Sequence, residues 1–140
     1  MNRQFFILQL ILMCSTAAAQ PFVTGAPAVM NTNLGMDLHA GVRLGKVYAS
    51  AGYTAVIHPG QPALFQGRAG YVINDRFVIF SGATHVLHSV DYKSRNYWTW
   101  TAGGQYHFAY YERTTFFINA SYTPGYPVIG AGMSYNLYRW

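Results

Sequence analysis

The sequence predicts an antiparallel up-and-down transmembrane β-barrel of about eight strands, preceded by a cleaved signal peptide. Three observations predict it. Charged residues make up only 9% of the 140-residue chain against 51% hydrophobic, whereas a soluble domain carries roughly 25% charge. After the N-terminus no apolar run approaches the ~20 residues of a membrane helix, so a surface that avoids water has to be built from strands. In lipid only a closed barrel satisfies every backbone group without an edge. Finally, long segments alternate with period two, as strands do.

The clearest alternation is in residues 96–110. Trp98, Trp100, Ala102, Gly104, Tyr106, Phe108 and Tyr110 fall on one face, and Tyr97, Thr99, Thr101, Gly103, Gln105, His107 and Ala109 on the other. Bulky aromatics toward both ends of the greasy face, with small residues between, suit a strand that crosses a bilayer. The alternative is a secreted soluble barrel that binds a small apolar ligand, with the Trp98/Trp100 face pointing inward. An aromatic content of 17%, led by 12 tyrosines, suits the girdles of the membrane form.

Residues 1–19 read as a secretory signal peptide. Arg3 supplies the positive start, residues 5–13 the apolar stretch, and Ala17-Ala18-Ala19 an A-x-A cleavage site. The apolar stretch is too short for an anchor, and Met13 is too bulky to precede a lipid-modified Cys14. Cleavage leaves residues 20–140 as a barrel domain without cysteine, so disulfide and thiol chemistry drop out. The formal charge of +5 is scattered and unclustered, which argues against a nucleic-acid surface and for anionic lipid headgroups as its counterpart.

Residues 21–31 contain Pro21 and Pro27, tolerable only in a strand with an irregular edge. From Met36 the pattern is clean: Met36, Leu38, Ala40, Val42 and Leu44 against Asp37, His39, Gly41 and Arg43. After Gly45, Val47, Ala49, Ala51, Tyr53, Ala55 and Ile57 oppose Tyr48, Ser50, Gly52, Thr54 and Val56, which makes a hairpin. A loop at 58–62 leads to Phe65, Gly67, Ala69, Tyr71 and Ile73 against Gln66, Arg68, Gly70 and Val72. Asn74-Asp75 turns the chain into 77–88, which is apolar on both parities and leaves its facing open. The polar connection 89–95 leads to the 96–110 strand. Beyond Glu112-Arg113, Phe116, Ile118, Ala120 and Tyr122 oppose Thr115, Phe117, Asn119 and Ser121. A loop is expected at 123–127, and 128–140 closes the chain.

Ala-Gly recurs near mid-strand at Ala40-Gly41, Ala51-Gly52, Ala69-Gly70, Ala102-Gly103 and Ala131-Gly132, with Ala on the greasy list and Gly on the polar list. Inward glycines make room for long lumen side chains and let a narrow barrel curve. Tight turns (44–46, 74–75, 112–113) alternate with looser loops (58–62, 89–95, 123–127), as in outer-membrane barrels. Seven strands are countable, and an even number requires residues 21–31 as the eighth.

In this pattern the chain resembles the small eight-stranded outer-membrane β-barrels of Gram-negative bacteria. The sharpest piece is Gly132-Met133-Ser134-Tyr135-Asn136-Leu137, similar to the C-terminal signal of such barrels, although Tyr138-Arg139-Trp140 continue beyond it. The resemblance implies both termini in the periplasm, outer-membrane lipid as partner, and folding by the barrel assembly machinery. It leaves function and oligomeric state open, because such barrels include integrity proteins, adhesins, enzymes and pores.

The polar faces gather Asp37, His39, Arg43, Gln66, Arg68, Thr99, Gln105, His107 and Asn119. In a narrow barrel these make a hydrogen-bonded plug, because buried charges need partners, with Asp37 paired to Arg68 or Arg43. A gated pore or a ligand site is the alternative use of the same residues. Interface aromatics are expected at Trp98, Trp100, Tyr110, Tyr135 and Trp140. His85, His88 and Ser89 form the tempting catalytic cluster: the resemblance extends to lipid-modifying barrels that use His, Ser and an acid at the external rim, and Asp91 is the nearby acid. No metal-ligand spacing, phosphate loop or nucleotide fingerprint is present, so no metal or cofactor is expected. A structural, envelope-integrity barrel with a polar, plugged lumen is the leading expectation.

Overall fold

A computed structural model of the chain describes residues 19–88 and 95–137. The signal-peptide reading, Ser89, Asp91 and Trp140 lie outside the described residues. Eight strands run in order: β1 (Gln20–Met30), β2 (Asn33–Leu44), β3 (Val47–Val56), β4 (Ala63–Val72), β5 (Phe77–Leu87), β6 (Tyr97–Tyr111), β7 (Thr114–Thr123) and β8 (Tyr126–Asn136). Each pairs antiparallel with its sequence neighbour, and β1 pairs with β8 to close the barrel. Residues 20–30 therefore supply the eighth strand.

Pro27 shows how a proline fits there. The ladder from β1 to β2 is continuous, whereas the ladder to β8 lapses at Ala26 and Pro27. Proline has no N–H to donate, and the lapse falls where that donor is missing.

One end of the barrel carries the turns Gly45-Lys46, 73–76 and Glu112-Arg113, and is called the turn end. At 73–76, Asn74 Oδ1 accepts from the backbone N–H of Arg76 and of Phe77, both at 2.9 Å, which folds the four residues tightly. The other end, the loop end, carries 57–62 and the β5–β6 connection. It also carries two-residue turns at Asn31-Thr32 and Pro124-Gly125. The expected loop at 123–127 is therefore a correction: Gly125 takes φ +84° and closes the hairpin, leaving Tyr126 and Pro127 in β8. Strict alternation of tight and loose connections fails at those two turns, because a positive φ at each allows a two-residue hairpin.

Polarity is inverted relative to a soluble protein. Asp37, His39, Thr54, Gln66, Arg68, Thr84, Thr101 and Asn119 are buried, while Trp98 is 65% and Trp100 53% exposed. The reading with Trp98 and Trp100 inside is thereby corrected. Outward aromatics gather toward the loop end (Tyr53, Phe65, Trp98, Trp100, Tyr122) and toward the turn end (Tyr71, Phe77, Tyr106, Phe108, Tyr135). Ala51, Ala69, Ala83, Ala102 and Ala120 lie between them. Ten-residue strands rising ~3.3 Å per residue at roughly 40° tilt span about 25 Å, the height of a bilayer's apolar band.

Strand β5, apolar on both parities, turns Val78, Phe80, Gly82, Thr84 and Val86 inward and Phe77, Ile79 and Ser81 outward. Its lumen side chains Val78, Phe80 and Val86 are apolar and fill space. At the loop end Ala28, Met30, Leu64, Val86 and Val128 form a buried apolar cluster, flanked by Val56 and Tyr126.

Candidate functional site in the barrel lumen

The five glycines of the Ala-Gly pairs all face the lumen, and each lies directly across a ladder from a large lumen side chain. The pairs are Gly41 with Phe22, Gly52 with His39, Gly70 with Tyr48, Gly103 with Phe80, and Gly132 with Phe117. At Gly41, Gly52, Gly70 and Gly103 an added Cβ would stand less than 3.0 Å from the facing ring, whereas at Gly132 it would meet the Gly25 carbonyl and Ala26 of β1. A Cβ on Gly70 would stand 2.0 Å from the Tyr48 ring. The glycines thus decide where lumen side chains lie.

Asp37 is the centre of what they position. Its Oδ1 lies 3.0 Å from His39 Nε2 and accepts from Thr54 Oγ1 at 2.5 Å, and its Oδ2 accepts from Asn119 Nδ2 at 3.1 Å. The Arg68 guanidinium is 3.6 Å from Oδ1. Arg68 also donates to Gln66 Oε1, and Gln66 Nε2 donates to Thr123 Oγ1 at 3.3 Å. Phe80 lies under the guanidinium, 4.6 Å from its ring centroid, a cation–π contact. Side chains from β2, β3, β4 and β7 therefore tie opposite walls of the barrel together. Of the two partners expected for Asp37, Arg68 is the one found. Arg43 lies instead at the turn end, where its Nε donates to the Gly45 carbonyl at 2.7 Å.

Between this network and the turn end lies a vestibule with about 80 Å³ open to water-sized groups. Its walls include Arg43, Arg68, His39, His107, Tyr48 and Gln105, and among the described residues no carboxylate lines it. The expected polar set therefore divides. Asp37, His39, Gln66 and Arg68 come together in mid-lumen, and Arg43, Gln105 and His107 line the vestibule. Thr54, Tyr48 and Thr123 were not singled out from the sequence, although each stands on the inward parity of its strand.

Tyr110 is a correction. The β6–β7 register shifts between His107 and Ala109, leaving Phe108 as the extra residue of a bulge. The shift moves Tyr110 from the outward parity to the lumen parity, opposite Thr115, and its ring sits 6.2 Å from His107 at the vestibule rim. Trp98, Trp100 and Tyr135 keep the outward facing expected of them.

The histidines of the catalytic reading do not meet. His85 faces outward and stacks on Trp98, with ring centroids 4.6 Å apart and 12° between planes. His88 lies beside Tyr97, a lumen-parity residue, and its backbone N–H donates to Asn96 Oδ1 at 2.8 Å. Asp75 and Glu112 belong to the turn end, away from both. Among the described residues no three His, Cys, Asp or Glu side chains are grouped as a metal site.

Two solved structures share this architecture. A structure described as "De novo design of transmembrane beta-barrels" is similar at a TM-score of 0.60 and 11% identity, covering 84% of this chain and 95% of that one. The "Solution NMR structure of de novo designed TMB2.3" is similar at a TM-score of 0.54 and 14% identity, covering 87% and 95%. The fold is that of a transmembrane β-barrel. No family model matches the sequence, and no curated protein matches it. At these identities the likeness carries the fold alone, and a barrel of this size hosts many activities.

Proposed function

We propose that the chain is an integral outer-membrane β-barrel of the structural, envelope-integrity type, exported by its N-terminal segment and folded into lipid by the barrel assembly machinery. The observation that carries this reading is the inverted polarity. A continuous outward surface of Leu, Ile, Val, Phe, Tyr and Trp surrounds a lumen in which Asp37 is paired with His39 and Arg68. Such a surface is unfavourable in water and favourable in hydrocarbon. The lumen reading rests on two stacked closures. The Asp37 network bridges the middle, and the Met30–Leu64–Val86 cluster fills the loop end, in keeping with the side-chain-filled interior of an eight-stranded barrel.

The separation of His85 from His88 gives the lipid-modifying reading no assembled site among the described residues. Conductance tests the structural reading. Purified protein inserted in a planar bilayer is expected to give no stable single-channel steps. Steady ohmic steps would show an open pore and contradict it. Loss of the protein from its native envelope is expected to raise sensitivity to detergent.

A further inference from the structure

The turn-end vestibule is a dead end with an unusual charge balance. Arg43, Arg68, His39 and His107 contribute to its walls, and among the described residues no Asp or Glu does. Asp37, behind that wall, is already engaged by His39, Thr54, Asn119 and Arg68. Three nitrogens of these wall residues have no hydrogen-bond partner among the described residues: His39 Nδ1, Arg68 Nε and His107 Nε2. Arg68 is 5% exposed, and leaving a buried donor of a charged group without an acceptor is costly. Among the described residues the walls therefore leave a guanidinium donor unmet and carry positive charge in excess of negative.

The mouth adds to this. The described turn-end connections carry Lys46, Arg76 and Arg113 against Asp75 and Glu112, and Arg43 stands at the rim. A cationic opening with low-dielectric walls concentrates anions. Size sets the limit. About 80 Å³ open to water-sized groups suits an anion of a few heavy atoms.

From this geometry we infer that the vestibule binds one small oxyanion, a phosphate or carboxylate group, between Arg43 and Arg68, with His107 and Gln105 as further donors. The donor set matches the ligand: a guanidinium fork takes two oxygens at once, and the amide and imidazole complete the shell. The inference is separate from the integrity role and holds whether or not that role does.

The test uses the protein folded in uncharged maltoside micelles, followed by amide ¹H–¹⁵N resonances at constant ionic strength. Inorganic phosphate and acetate are each titrated in. The expected result is a saturable shift of Gln105, His107 and Ser50 resonances, with loop-end residues Leu64 and Val128 unmoved. Arg43→Gln is expected to weaken the affinity about tenfold, as loss of a charged hydrogen bond does, while Arg113→Gln, outside the walls, retains it. His107→Gln is a second variant that keeps a donor at the site and is expected to bind. Micelles doped with phosphatidylglycerol separate the sources. Shifts of the same resonances with that lipid alone place the oxyanion on a headgroup, and shifts only with added salt place it free in solution. No saturable shift under any of these conditions, or equal loss with Arg43→Gln and Arg113→Gln, overturns the site.

Discussion

His39 lies directly across the β2–β3 ladder from Gly52, and a Cβ on Gly52 would stand 2.2 Å from its imidazole. The imidazole carries the contact to Asp37, so the space over one glycine holds one arm of the lumen network in place. Gly52→Ala is expected to destabilise the barrel by about 1–3 kcal/mol, the usual cost of overpacking. Gly67→Ala faces outward with nothing within 4 Å of the new Cβ and is expected to stay within about 0.5 kcal/mol. Urea unfolding in lipid vesicles, followed by tryptophan fluorescence, measures both.

Removing Asp37 strands Arg68. Asp37→Ala is expected to cost about 3–5 kcal/mol, as breaking one side of a buried ion pair does. Asp37→Leu combined with Arg68→Met removes both charges and is expected to recover most of that loss. The same unfolding experiment, run as a double-mutant cycle, checks the coupling.

Thr32 sits at φ +68° in the β1–β2 turn beside Asn31 at +48°. A β-branched residue is strained there, whereas glycine is not. Thr32→Gly is expected to stabilise the barrel by about 1 kcal/mol, read as a higher urea midpoint with unchanged slope.

Most of the barrel was legible because period two survives wherever one face meets lipid and the other meets polar lumen. Met36 through Leu44 and Phe116 through Tyr122 show it residue by residue, and the Ala-Gly pairs gave the same facing in five strands. Strand β5 was illegible for the opposite reason. Val78, Phe80 and Val86 fill lumen space opposite Gln105, Gly103 and Tyr97, so apolar residues occupy both faces. The Phe108 bulge leaves no mark in the alternation, and Tyr110 was misplaced with it. Pro124-Gly125-Tyr126-Pro127 reads as a loop from composition, yet a strand accepts a proline near its start, and Pro127 is the second residue of β8. Within the site, the inward list was readable from parity. Which of Arg43 and Arg68 reaches Asp37 was not, because that depends on height along neighbouring strands.

Ala120 is an exposed outward residue in the middle of β7, and Tyr111 ends β6 at the turn end. An arginine in the apolar band costs about 2–4 kcal/mol at its midplane and about 0–1 near an interface. Ala120→Arg is therefore expected to destabilise the vesicle-inserted barrel strongly, and Tyr111→Arg weakly. Equal effects at the two positions would place no bilayer around β7.

The most direct test of the lipid-facing barrel is heat modifiability in vesicles. The protein is folded into phospholipid vesicles, floated on a density gradient, and run by electrophoresis with and without boiling. The expected result is co-flotation with lipid and an unboiled band that migrates faster than the boiled one, as a compact closed barrel does. A protein that stays in the soluble fraction, with identical mobility before and after boiling, would contradict the outward facing of Trp98, Trp100 and every residue that shares their face.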